Sequence, residues 1–276
     1  MIEQRRAELD VIITRAESPR FAHPLLLIHG PWTGAWLWGR MAGYLGHRGW
    51  DSWAVDGLGR TQVGRPAGER SVAAVVEQCV KIAAGMEAPP ILVAHDAGAT
   101  LALRLAPVVR APATVLIAPV LPGHGGRRAL LGGVRRAAAC VLGRRLGPPV
   151  GPAAEVIFHG AGASTRNLIE SRVVEDDGRF LYDLLRERVP PLDVAGRLPV
   201  LVVSGNDDAV LPPARARAVA SDLGGSVFVL PGGHWLPVED GWRETIGQVH
   251  RWIVRTLGDA LLLFLEEMES DQGETP

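Results

Sequence analysis

One segment restricts the possible folds of this chain more than any other: Ile91 to Ala106, ILVAHDAGATLALRLA. Its apolar start is what a strand buried on both faces requires. It passes through His95-Asp96-Ala97-Gly98-Ala99 directly into a helical pattern. Small residues at Ala94, Ala97, Gly98 and Ala99 allow a sharp reversal and close packing of helix on sheet. The result has the shape of a G-x-S-x-G nucleophile turn, with Ala94 at the first glycine and Asp96 at the serine. An elbow of this kind lifts one side chain above the C-terminal edge of a parallel sheet, beside a helix N-terminus that favours an anion. A carboxylate there stays ionised and nucleophilic. The plainer reading is that Asp96 only caps the helix.

The rest of the chain repeats the same alternation, the mark of βα units around a parallel sheet. Strands are expected at Leu9 to Arg15, Pro24 to His29, Trp50 to Asp56, Pro90 to His95, Ala113 to Ala118, Pro199 to Ser204 and Ser226 to Leu230. Helices are expected at Trp36 to Gly46, Val72 to Met86, Gly98 to Val109 and Asp240 to Leu257. Between Pro119 and Pro191 no buried strand is evident, and an insertion after a strand's C-terminal end lies where ligands bind in such sheets. The expected organisation is therefore a core of residues 1–118 and 192–265, a helical cap of 119–191, and a disordered acidic tail of 266–276. Within the cap, Arg127, Arg128, Arg135, Arg136, Arg144 and Arg145 recur at helical spacing, which reads as one solvated face or, alternatively, a surface for an acidic partner. Gly132-Gly133 would weaken or bend that helix.

Two further loops carry the partners a nucleophile needs. Val200 to Pro213 is a strand followed by Asp207 and Asp208; Val227 to Asp240 is a strand followed by Gly232-Gly233-His234. The order Asp96, acid, His234 is that of a triad on this kind of sheet. Each residue directly follows an expected strand, so all three converge on one edge.

The bulk properties exclude several classes. A chain of 276 residues fits one large α/β domain. A net charge of −1 gives no general attraction to nucleic acid. The 2 cysteines, Cys79 and Cys140, lie far apart in apolar helical contexts and read as buried free thiols. No signal segment or membrane-length apolar run is evident, so a cytoplasmic protein is expected. No cluster has metal-ligand spacing, and neither metal nor cofactor is expected. The partner is a small-molecule substrate; Leu261 to Leu265 could pack on its own domain or form a homodimer.

On these motifs the chain resembles the α/β-hydrolase superfamily along essentially its whole length. The elbow Val93-Ala94-His95-Asp96-Ala97-Gly98-Ala99 is similar to that of epoxide hydrolases and haloalkane dehalogenases; the loop from His29 to Trp38 is more similar to the methylesterase and hydroxynitrile-lyase branch. The resemblance implies a mostly parallel sheet with helices on both faces and a helical cap, and it implies Asp208 rather than Asp207 as the acid. It places Ala97 and the loop at Pro31 and Trp32 at the oxyanion position. It also leaves departures. Pro31 stands where the family usually donates an N–H and has none, so Trp32 supplies the donor through a shifted loop or no strong oxyanion forms. Ala97 and Pro31 replace the residues that hold a departing halide. Of the cap tyrosines that serve epoxide hydrolases, the cap offers Tyr182, with His159 as another donor.

These features lead to hydrolysis of an epoxide-type apolar substrate through an alkyl ester on Asp96, with water activated by His234. Attack on an ester would give an anhydride with little gain. The alternative is a non-hydrolytic isomerase, lyase, cyclase or decarboxylase of natural-product chemistry using Asp96 and His234 as acid and base. A binding pseudoenzyme is a third. The pocket walls are expected from Trp32, Trp235, Phe158 and Leu181. His29 reads as a loop-fixing residue, His95 packs beside the elbow, and His23, His47, His124 and His250 read as surface or loop histidines.

Overall fold

The computed structural model describes the backbone of residues 2–6, 9–59, 70–124, 131, 133–187 and 198–272, with side chains from Leu9 to Gly258 within those ranges. Its centre is an eight-stranded sheet. The strands are β1 (Ile2–Arg6), β2 (Leu9–Thr14), β3 (Leu25–Ile28), β4 (Ser52–Asp56), β5 (Ile91–His95), β6 (Thr114–Ile117), β9 (Val200–Gly205) and β10 (Ser226–Leu230). They lie in the order β1-β2-β4-β3-β5-β6-β9-β10. β1 and β2 run antiparallel, as do β2 and β4; every other neighbour is parallel. β3, β5 and β6 are buried at every residue, which explains why their sequences show unbroken apolar runs instead of alternation. β1 had no expectation attached to it: it gains its place through pairing with β2, a contact that leaves no periodic trace in a polar segment.

Helices cover the faces: α1 (Gly39–His47) after a 3₁₀ turn at Ala35–Trp38, α2 (Val72–Ala84), α3 (Gly98–Val109), α8 (Pro213–Asp222) and α9 (Trp242–Gln272). Ser71 caps α2 by accepting from the Ala74 N–H, and Gly85 follows its end, the start and stop chemistry expected of a helix. Trp38 and Trp50 are fully buried, and Trp50 stacks on Phe21 at 3.9 Å. Its indole donates to His250 Nδ1 at 3.1 Å, so His250 is a half-buried packing partner where a surface histidine was expected.

Between β6 and β9 lie four short described helices, α4 (Val134–Val141), α5 (Pro152–Ile157), α6 (Ala163–Glu170) and α7 (Gly178–Leu184), with the two-residue strands β7 (Arg145–Leu146) and β8 (Asp176–Asp177) pairing antiparallel. The single arginine face does not survive. α4 starts only at Val134, after Gly133 at φ 120°. Arg136 folds back to the carbonyls of Leu131 and Gly147, while Arg145 sits on β7. Arg127 and Arg128 lie outside the described residues. At the other end the backbone of α9 continues to Gln272, past the point where a disordered tail was expected. Among the described residues no helix is long and apolar enough to cross a membrane.

Candidate active site

The parallel register brings four loops to one edge of the sheet, those following β3, β5, β9 and β10. Asp96 directly follows β5 with φ 54° and is buried. A left-handed residue costs about 1–2 kcal/mol, and aspartate is among the few that tolerate it. α3 begins two residues later, with Gly98 so close beneath the preceding loop that a Cβ would stand 2.5 Å from the His29 carbonyl oxygen. The small residues of the elbow are therefore required by contact as well as by turn geometry.

The structure brings Asp96, His234 and Asp208 together. Asp96 Oδ1 accepts from the Ala97 N–H at 2.5 Å, and Oδ2 lies 3.4 Å from His234 Nε2. His234 Nδ1 donates to Asp208 Oδ2 at 2.9 Å. Asp208 Oδ1 in turn accepts from the N–H groups of Val210 and Leu211, both at 2.8 Å. The side chains of His234 and Asp208 are 0% exposed and that of Asp96 is 3% exposed, so these interactions act without solvent screening. Asp207 is exposed, and its carbonyl accepts from His159 Nδ1 at 2.8 Å. Between the two acids, geometry selects Asp208.

Two buried groups hold the histidine loop: Glu239, which the sequence reading does not single out, and His95, expected to pack beside the elbow. Glu239 accepts from the Gly233 N–H at 2.7 Å and from the Trp235 N–H at 2.9 Å, bracing His234 on both sides. His95 Nε2 donates to the His234 carbonyl at 2.8 Å, joining the elbow to the same loop. A signal for Glu239 is hard to find in sequence, because its role depends on a loop returning over itself. His29, by contrast, behaves as expected: Nδ1 donates to the Gly30 carbonyl at 2.6 Å and Nε2 accepts from the Leu58 N–H.

The expected pocket residues divide. Pro31 lines a narrow cavity with Gly30, Leu58, Leu101, Asp176, Phe180, Leu181 and Leu184; its volume of about 10 Å³ is on the order of one water. Trp235 and Phe158 form a stacked pair beside His234, 5.9 Å apart, and the Trp235 indole donates to the Ile157 carbonyl. Trp32 is buried, but its backbone N–H donates to Asp176 Oδ2 at 2.5 Å and its indole to the Leu146 carbonyl. It thus does not supply the vacant donor expected of a shifted loop. The Tyr182 hydroxyl accepts from Arg186 Nη1 at 3.0 Å, while its neighbours Leu181 and Phe180 line the narrow cavity. His159 is exposed and engaged with Asp207. A wider groove of about 360 Å³ beside Phe21, Trp53 and Met86 opens at the opposite edge of the sheet and shares no residue with the site.

The charges follow from burial and pairing. Burial alone would lower His234, but Asp208 and Asp96 outweigh it and raise the imidazolium to about 10. Burial pushes Asp208 up, yet His234 and the two loop N–H groups hold it below the usual carboxylate range. His95 is lowered to about 4, mainly by burial and then by the neighbouring His234 charge. Burial raises Glu239 against its two N–H partners.

These shifts give a stability profile. The contribution of His234 is whole below 6.5, its ordinary value, and is lost as pH rises towards about 10. That of His95 is whole above 6.5 and is lost as pH falls towards about 4. Thermal unfolding midpoints should therefore peak near pH 6.5 and fall on both sides, the alkaline fall being removed by Asp208→Asn. A wild-type midpoint that is level from pH 6.5 to 9.5 would contradict the assignment.

Comparison with known proteins follows the same lines. A family model described as the Alpha/beta hydrolase family matches residues 25–248. None of the curated proteins compared matches the chain. Among solved structures, a monoacylglycerol lipase from Paleococcus ferrophilus is 18% identical with a TM-score of 0.70, over 91% of this chain and 100% of that one. A proline iminopeptidase-related protein from Thermus thermophilus is 22% identical with a TM-score of 0.68, over 95% and 100%. A thermophilic esterase from Thermogutta terrifontis is 19% identical with a TM-score of 0.64, over 90% and 94%. At these identities the likeness is one of fold.

Proposed function

The chain belongs to the alpha/beta hydrolase family, and from that premise we propose that it hydrolyses a small apolar epoxide through an alkyl ester on Asp96. One observation carries the reading: Asp96 Oδ1 rests on the Ala97 N–H while Oδ2 faces His234 Nε2, whose other nitrogen is held by Asp208. A carboxylate so divided has one oxygen seated on a donor and one available for attack.

The cycle balances with these groups alone. Asp96 Oδ2 attacks the epoxide carbon, the ring C–O bond breaks, and the released oxygen takes the Nε2 proton of the His234 imidazolium. With Asp96 esterified, one of the two charges that keep His234 protonated is gone, and the neutral imidazole becomes the base. It draws a proton from water as the hydroxide adds to Asp96 Cγ. The charge then develops on Oδ1, where the Ala97 N–H already stands. Collapse expels the diol oxygen, which takes the proton of the newly formed Asp96 carboxylic acid, restoring the carboxylate and the imidazolium.

A second reading keeps the pair and omits the water: an isomerase or lyase in which Asp96 and His234 exchange a proton with the substrate. The buried ion pair favours it. A turnover panel of styrene oxide, 1-bromobutane and p-nitrophenyl acetate separates the two. Hydrolysis of the epoxide ahead of the other substrates supports the first reading, whereas a folded protein inert towards all three sinks it in favour of the second.

A further inference from the structure

The loop after β3 carries an unusual connection to the cap. Pro31 has no N–H, which leaves the Trp32 N–H as the loop's candidate partner for the Ala97 N–H in an oxyanion hole, the elbow N–H and a first-loop N–H being the usual pair. Trp32 is held at φ 60°, its carbonyl accepts from the Val174 N–H at 3.0 Å, and its N–H is taken by Asp176 Oδ2 at 2.5 Å. Asp176 reaches that position from β8, where Leu146 pairs with it and Asp177 donates to the Gly59 carbonyl. Gly59 leaves room for the carboxyl: a Cβ there would stand 2.6 Å from Asp176 Cγ. The carboxyl lines the small cavity together with Gly30 and Pro31, and Gly30 is so close to the nucleophile that a Cβ would stand 2.6 Å from Asp96 Cβ.

We propose that Asp176 is a specificity-determining residue: by occupying the Trp32 N–H it withholds the second oxyanion donor from substrates and confines the site to alkyl electrophiles. The inference deepens the epoxide reading and rests on it. An acyl substrate develops charge on its own carbonyl oxygen, outside the reach of the N–H that serves Asp96, and each missing donor costs it on the order of 10²–10³-fold in rate. Here one donor serves Asp96 itself, one is absent at Pro31, and one is filled by a side chain of the cap. An alkyl electrophile makes no such demand when Asp96 attacks it, and in the later hydrolysis of its ester the charge forms on Asp96 Oδ1, already seated on the Ala97 N–H.

The test restores an acyl-type nucleophile and then empties the donor. In an Asp96→Ser background, turnover of p-nitrophenyl acetate is compared with and without Asp176→Ala, with thermal melts checking the fold. Since one oxyanion donor is worth on the order of 10²–10³-fold in rate, the double variant is expected to exceed the single by on the order of 10²-fold. Asp96→Ser with Asp176→Asn should show no gain, because the amide oxygen still takes the Trp32 N–H. If the alanine form does not fold, Asp176→Val carries the same expectation, as it suits a strand and offers no acceptor. Equal rates for single and double variants, whether high or nil, overturn the role of Asp176. That failure would leave wild-type epoxide turnover intact, whereas failure of the epoxide reading would leave the wild type inert towards epoxides whatever the serine variants do.

Discussion

Asp96→Ala is expected to lower epoxide turnover by on the order of 10⁴-fold or more, the scale seen when a covalent nucleophile is removed. The argument is positional. No other carboxylate of the elbow faces His234, and the 3.4 Å approach of Asp96 Oδ2 to Nε2 is made by a residue the backbone fixes at φ 54°. Alanine in a left-handed conformation is itself costly by about 1–2 kcal/mol, so Asp96→Asn is the better-folded companion, since asparagine also tolerates that region. Both variants should be equally inactive in steady-state assays while retaining a cooperative melt. A folded Asp96→Ala protein that keeps more than a few per cent of wild-type kcat would mean that Asp96 caps the helix and something else performs the chemistry.

His234→Gln has the second large expected effect, and a different shape. Glutamine keeps an N–H that can approach the opening epoxide oxygen, but it cannot take a proton from water. Ring opening should slow and ester hydrolysis should stop, so that a burst of up to one equivalent of substrate is consumed and turnover then falls by on the order of 10⁴-fold. The side chain lies at 0% exposure between Asp96 and Asp208. A variant that loses the burst and the steady state in proportion would instead indicate that His234 acts only in the first step, as the acid/base reading requires.

Much of this site is legible in the sequence because local chemistry carries it. The elbow needs an apolar strand, small residues and a helix in immediate succession, and Ile91 to Ala106 supplies them in order; the structure returns β5 and α3 there, with α3 at the expected Gly98–Val109. Asp208 and His234 follow strands whose apolar runs are equally plain, and parallel register brings strand ends together without further information. Asp176 was not legible. Its partner Trp32 is 144 residues away, and no periodicity records a carboxyl reaching from a cap to a loop N–H. Glu239 is similar: six residues from Gly233, it acts through backbone N–H groups, which every residue except proline carries.

The misreadings have the same origin. Arginine spacing in the cap describes a helix face only if a helix runs through it, and Gly133 starts a new one instead. Which side of the seven-residue helix α7 faces the narrow cavity is likewise decided by packing, and Leu181 and Phe180 take that side. The acidic composition of the last residues suggested disorder, whereas the backbone of α9 continues through them to Gln272. Composition reports the cost of ordering a segment, not whether a preceding helix already supplies the nucleus.

The covalent role of Asp96 is tested most directly by intact-mass analysis of His234→Gln protein mixed with styrene oxide, followed by peptide mapping. The account predicts a mass increase of one substrate per chain, located on the peptide that contains Asp96 and absent from Asp96→Asn/His234→Gln protein. An unmodified Asp96 peptide, at a time when the wild type turns over the same epoxide, would contradict it and make Asp96 a base instead of a nucleophile.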